Sequence, residues 1–154
     1  MKELRSRHLF TLRLNVAYDR LYPIGEVPTG RRLIAPVDGG TFEGERLRGT
    51  VLQDGADWVL FRPDGVMEID VRTTLKTEDG ALIYLTYQGF AHAEPEKMKR
   101  FTSREVLPYE DVYVRTSLRF ETASPKYSWL NSSIVVANGA RTADGPLYEV
   151  FEIV

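Results

Sequence analysis

Two carboxylates that could move a proton, Asp70 and Glu121, lie on segments that also carry the guanidiniums of Arg72 and Arg115 and the phenol of Tyr87. Asp70 and Arg72 alternate with Met67, Ile69 and Val71, so this stretch has two chemically different faces. If the polar face points into a closed β-structure, carboxylates, guanidiniums and a phenol converge in a medium of low dielectric. There pKa values shift, Asp70 or Glu121 serves as acid or base, and Arg72 or Arg115 holds a carboxylate or an oxyanion. The opposite phase buries Met67, Ile69 and Val71 and leaves Glu68, Asp70 and Arg72 in solvent. Period two establishes that the faces differ and leaves open which one is inside.

Other side chains admit a similar pair of readings. Trp58, Tyr127 and Trp129 are amphipathic rings that suit a pocket mouth or plain core, and Asn131 follows Trp129-Leu130 where it could equally cap a short helix. His8 and His92 are far apart and lack metal-ligand spacing. The acidic group Asp54, Asp57, Asp64, Glu68 and Asp70 does not follow a calcium loop, and Asp54-Gly55 and Asp64-Gly65 read as turns. The motifs GxxxxGKS/T, HExxH, GxSxG and a GxGxxG before a helix are absent. With no cysteine, the chain has no thiolate nucleophile, disulfide or cysteine-ligated metal. No metal and no cofactor is expected.

The elements that must position these residues are strands. Pro63-Asp64-Gly65, Glu78-Asp79-Gly80 and Ala137-Asn138-Gly139 each lie between β-rich runs and predict three tight hairpins. Strands are expected at 8–17, 31–35, 41–53, 57–62, 66–72, 81–91, 112–122, 133–138 and 147–154, about nine in all. Two segments break the pattern. Glu94 to Arg104 has a proline, Pro95, suited to a first helical turn, and predicts a short helix or mobile excursion that could act as a lid. Ser124-Pro125 predicts one or two helical turns that could plug a barrel end. The result is an all-β, mostly antiparallel barrel with one or two short helices, spanning 1–154 as a single domain.

Composition limits the partners. A chain of 154 residues, 43% hydrophobic and 27% charged, can bury one core and is neither a disordered tail nor a miniprotein. A formal charge of -2 with no basic stripe argues against nucleic acid. No apolar stretch approaches the length of a membrane-spanning helix, and Arg13 interrupts the only N-terminal apolar run, so no signal peptide is expected. A soluble, cytoplasmic protein is the expectation.

Several short motifs, taken in order, resemble a known family. They are Gly30-Arg31-Arg32, Gly39-Gly40-Thr41-Phe42-Glu43-Gly44, Leu47-Arg48-Gly49-Thr50-Val51, Gly55-Ala56-Asp57-Trp58, Asp64-Gly65, Asp70-Val71-Arg72, Glu78-Asp79-Gly80, Phe120-Glu121-Thr122 and Tyr127-Ser128-Trp129-Leu130-Asn131. From about residue 8 to the C-terminus the chain is similar to the bacterial and fungal domain of unknown function 3237. The resemblance implies a calycin-like β-barrel and no particular reaction. It also implies that Asp57 and Trp58, Asp70, and the turn carrying Tyr127, Trp129, Leu130 and Asn131 matter to the family, for chemistry or for barrel closure. The chain departs from the pattern at Thr73-Thr74, where an aromatic residue is expected.

Together these readings lead to a barrel that holds a small, partly apolar organic molecule, with Asp57, Trp58, Arg72, Tyr87, Arg115, Tyr127, Trp129 and Asn131 as candidate contacts. An alternative is a cofactor-free isomerase, cyclase or hydratase/lyase using Asp70 or Glu121 as acid or base in the barrel. A third is a filled barrel acting as an interaction module. Incomplete closure would leave a strand edge that a homodimer could protect.

Overall fold

The structure, a computed structural model, describes residues 2–154, leaving Met1 outside the described residues. Ten strands follow in chain order: β1 (Ser6–Val16), β2 (Tyr22–Val27), β3 (Gly30–Glu43), β4 (Arg48–Val51), β5 (Ala56–Phe61), β6 (Met67–Thr77), β7 (Leu82–His92), β8 (Tyr113–Glu121), β9 (Val135–Arg141) and β10 (Pro146–Ile153). Helix α1 (Pro95–Thr102) lies between β7 and β8, and a 3-10 helix (Pro125–Ser132) between β8 and β9. The ring β1-β10-β9-β8-β7-β6-β4-β3 closes where β1 pairs with β3, giving an antiparallel barrel of eight strands. The two additional strands are β5, which shares with β4 the slot between β3 and β6, and β2, which pairs with β3 alone.

Alternation decides what faces the core. Along β6 the side chains of Ile69, Val71, Thr73, Leu75 and Thr77 are buried, and along β8 those of Val114, Thr116, Leu118 and Phe120. This phase puts the apolar set inside and gives the core one continuous cluster. The two ends of the barrel are filled differently. At one end Phe10 meets Phe42 and Phe120 edge to face, with ring centroids 5.7 and 6.0 Å apart. The 3-10 helix caps that end, burying Tyr127 and Leu130. The Tyr127 hydroxyl donates to Asp79 at 3.0 Å, and Asn131 exchanges two hydrogen bonds with the backbone of Thr122. At the opposite end the inward residues are smaller, among them Ala35, Val37, Val59, Val71, Val114 and Ala140, and they leave space unfilled.

Two of the expected hairpins are present: Gly65 and Gly80 turn β5 into β6 and β6 into β7, with φ of 88° and 89°. The third is not. Asn138-Gly139 lies inside β9, paired with Glu149 and Tyr148 of β10, and the chain turns later, where the Thr142 N–H donates to the Gly145 carbonyl. Gly139 is small because of packing: a Cβ there would sit 2.4 Å from Val114 Cγ1 and 2.9 Å from Tyr148 Cε1. Strand β2 was not expected because Pro23 and Gly25 interrupt its pattern, and β3 runs unbroken through Pro36 and Gly39-Gly40, where two strands were predicted. No helix among the described residues is long and apolar enough to cross a membrane.

Candidate functional site

The unfilled end encloses a cavity of about 230 Å³ whose wall is mostly aliphatic and aromatic. One carboxyl lies among these apolar side chains. Asp57 shares its inward phase with Val59 and Phe61 of β5, while Ala56, Trp58 and Leu60 turn outward. The carboxyl is held by a local opening of the strand pair. Asp57 is in register with Val71 and Leu60 with Glu68, but Trp58 and Val59 have no register partners on β6. The Asp70 N–H donates to Asp57 Oδ1 at 3.0 Å, and the Trp58 carbonyl accepts from Arg32 Nη1 at 2.8 Å. Two side chains thus satisfy the backbone groups that a regular ladder would have paired.

Burial pushes the Asp57 carboxyl up to about 7, against the Asp70 amide, which favours the charged form; the Asp70 carboxylate raises it further and Arg32 lowers it. Asp57 is only half-buried by exposed surface, and the space it faces is the cavity. Tyr87 and Tyr148 stand on the same wall, edge to face with centroids 5.1 Å apart. Burial first, and then the neighbouring negative oxygens, push both phenols above their usual range, so they stay protonated. The two hydroxyls approach each other, yet that of Tyr87 makes no hydrogen bond of acceptable geometry. A carboxyl that changes charge near neutrality therefore faces an apolar space, and a phenol whose hydroxyl has no acceptor is buried in the wall beside it.

The cavity mouth is made by α1 and its neighbours. Phe101, Thr102 and Arg104 reach it from the helix end, Tyr18 from the β1–β2 connection and Arg141 from the end of β9. Arg141 Nη1 donates to the Phe101 carbonyl at 3.1 Å and Nη2 to the Tyr18 hydroxyl, tying the helix to the barrel rim. Arg104 lies with its Cζ 4.1 Å from the centre of the Tyr18 ring.

Of the residues singled out in the sequence, Asp57 and Tyr87 meet in this cavity. Asp70, Arg72, Arg115 and Glu121 do not: they occupy the outward phase of β6 and β8, because the apolar residues between them take the inside. Neither Asp70 nor Glu121, expected as acid or base within the barrel, is placed to act there, because both side chains point outward. On the outer wall the Arg72 guanidinium stands 5.8 Å from the Trp58 ring, and Gln88 contacts Asp70. Tyr127, Trp129 and Asn131 belong to the capped end, where Trp129 lies under Arg46 at 3.6 Å. Tyr18, Arg104, Arg141 and Tyr148 were missed. Only Tyr148 left a trace, sharing with Val150 the phase opposite Glu149.

Among the described residues no group of three or more His, Asp or Glu side chains comes together to hold a metal ion. His8 pairs with Glu149, and His92 stacks on Tyr113.

Comparison with known proteins agrees with the fold. A family described as "Protein of unknown function (DUF3237)" matches residues 4–153. The chain is similar to the crystal structure of a conserved protein of unknown function, RPA1785, from Rhodopseudomonas palustris, at 31% identity and TM-score 0.94, with all of both chains covered. It is similar to a beta-barrel like protein, ABAYE2633, from Acinetobacter baumannii at 33% identity and TM-score 0.86, covering 100% of this chain and 98% of that one. An enzyme from Penicillium herquei shares the fold at TM-score 0.75 and 21% identity, with 100% and 97% covered.

Proposed function

The chain belongs to the DUF3237 family, whose name carries no reaction, and on that premise we propose a function from the cavity itself: it binds a small, partly apolar organic molecule and moves a proton on it without a cofactor. The observation that carries this reading is Asp57, a carboxyl titrating near neutrality inside an apolar cavity, beside the uncommitted hydroxyl of Tyr87. A base of that strength is half ionised at neutral pH, and a buried phenol donates to the oxygen on which charge develops when a carbon acid or an alcohol loses its proton. Asp57 would take a proton from the molecule and return it elsewhere on it, as isomerisation and cyclisation require; in a hydration it would take the proton from a water whose oxygen bonds to one carbon, and deliver it to the other. Tyr148 would hold the oxygen, with the Tyr87 hydroxyl behind it reaching the ligand only after a small shift of the wall. That a protein of this fold from Penicillium herquei is an enzyme is consistent with such a barrel hosting chemistry.

An activated carbon acid reports this without knowledge of the substrate. With 5-nitrobenzisoxazole, removal of the ring C–H proton by a carboxylate breaks the N–O bond and releases a coloured phenolate. The wild-type rate should rise through about pH 7 and fall by roughly 100-fold or more in Asp57→Asn. A rate no greater than that of buffer, or one that Asp57→Asn leaves unchanged, removes Asp57 from the chemistry.

A further inference from the structure

Two cations stand at the mouth of this cavity with no carboxylate paired to them among the described residues. Arg141 commits three N–H groups to neutral acceptors, the Thr142 and Phe101 carbonyls and the Tyr18 hydroxyl, which fix its plane and leave its charge and two donors free. Arg104 lies over the Tyr18 ring and makes no side-chain hydrogen bond or ion pair among the described residues. The acid next to it in sequence, Glu105, is held by both Nε and Nη2 of Arg100. The backbone under Arg104 is informative. It follows the C-cap Ser103 with a φ of 70°, the only positive φ outside glycine among the described residues. This is the position where helices commonly end on glycine, which adopts that conformation freely. Here it carries a long cationic side chain that reaches the cavity.

We infer that the ligand is an organic anion, a carboxylic acid whose carboxylate sits at the mouth between Arg104 and Arg141 and whose apolar body extends inward toward Asp57. Guanidiniums are matched to carboxylates by charge and by the fork geometry of their donors. The reverse orientation would set the ligand's carboxylate against that of Asp57, so the two ends of the cavity fix one direction of binding. This inference rests on the cavity being a ligand site and goes beyond it by naming the charge and pose of what enters.

The test compares three probes of equal chain length, octanoate, octan-1-ol and octylammonium, by calorimetry on the full chain at pH 7.5. Octanoate should bind about tenfold or more tightly than octanol, and octylammonium the most weakly. Arg104→Gly suits the local φ, so the fold and its melting temperature should be kept. It should weaken octanoate about tenfold and leave octanol unchanged, and Arg104→Lys should recover part of the loss. If octanol binds as tightly as octanoate, or Arg104→Gly weakens both alike, the anion inference is overturned while the cavity remains a ligand site. If none of the three binds, the inference falls together with the ligand site on which it depends.

Discussion

The Asp70 N–H donates to the side chain of Asp57 at 3.0 Å, so two aspartates thirteen positions apart and on opposite faces of the barrel wall share one contact. Asp57 is inside and Asp70 outside. The amide between them favours the charged form of Asp57, and the Asp70 carboxylate opposes it. Burial prevails over both, and the resulting titration has consequences for stability as well as for chemistry.

In the unfolded chain the Asp57 carboxyl titrates at about 3.8, and in the folded one at about 7. Between these values the unfolded state binds fewer protons, so stability falls as pH rises. The neutral form's advantage is intact below about pH 4 and lost above about pH 7, amounting to at most about 4 kcal/mol and less to the extent that cavity water solvates the carboxylate. Asp57→Asn keeps an acceptor for the Asp70 amide and removes the charge. It should therefore melt higher than wild type at pH 8, with a margin that closes toward pH 4. Parallel melting curves across that range would show that Asp57 is not protonated on folding.

The uncommitted hydroxyl of Tyr87 is a cost to the empty protein. Tyr87 is 1% exposed, and an unsatisfied buried donor costs about 1–3 kcal/mol. Tyr87→Phe retains the ring and its contact with Tyr148, so it should be neutral or stabilising by about 1 kcal/mol, roughly 2–4 °C in melting temperature. It should also slow proton transfer in the benzisoxazole assay. A melting temperature lowered by several degrees would mean that the hydroxyl has a partner in solution.

Asp79 anchors the plug at the other end. The Lys126 ammonium, and with it the hydroxyls of Thr77 and Tyr127, hold its carboxyl well below the usual carboxylate range. A lowered folded value stabilises at neutral pH and loses that effect only as pH falls through it. Asp79→Ala should lower the melting temperature at pH 7, with a deficit that shrinks in strong acid. Amide exchange over 125–132 should quicken, because Tyr127 then has a buried hydroxyl without its acceptor. Unchanged exchange in that segment would show that the apolar contacts of Tyr127 and Leu130 suffice to seat the plug.

Gly139→Ala tests the close approach inside β9. Its methyl would overlap Val114 and the Tyr148 ring, so a destabilisation of about 1–3 kcal/mol should appear as a lowered urea midpoint. A midpoint equal to that of wild type would mean that the neighbouring cavity absorbs the displaced ring.

How far the sequence could be read depended on the contrast between faces. On β6 and β8 one face is apolar and the other charged, so the strands and the barrel they form were legible, while which face is inside was left open. The convergence of Asp70 and Arg72 required the less hydrophobic phase to face inward, and the cost of burying those charges decides against it. On β5 both faces carry apolar side chains, Val59 and Phe61 on one and Trp58 and Leu60 on the other. Periodicity therefore could not place Asp57, and only the family resemblance marked it. Asn138-Gly139 imitated a hairpin because a glycine needed for space looks the same as one needed for φ. Arg104 and Arg141 reach the mouth through tertiary placement of a helix end and a strand end, which no local spacing records.

Closure through β1 and β3 leaves β2, among the described residues, paired on one side only. To another molecule in a crowded solution, such an edge is a template for adding a foreign strand. Here the template is spoiled: Pro23 has no N–H to offer, and the register slips between Pro23 and Gly25. Tyr22 and Ile24 can thus remain 58% and 57% exposed on a strand that resists being copied into a larger sheet. The residues that hid β2 from sequence reading are the same ones that make its edge a poor template.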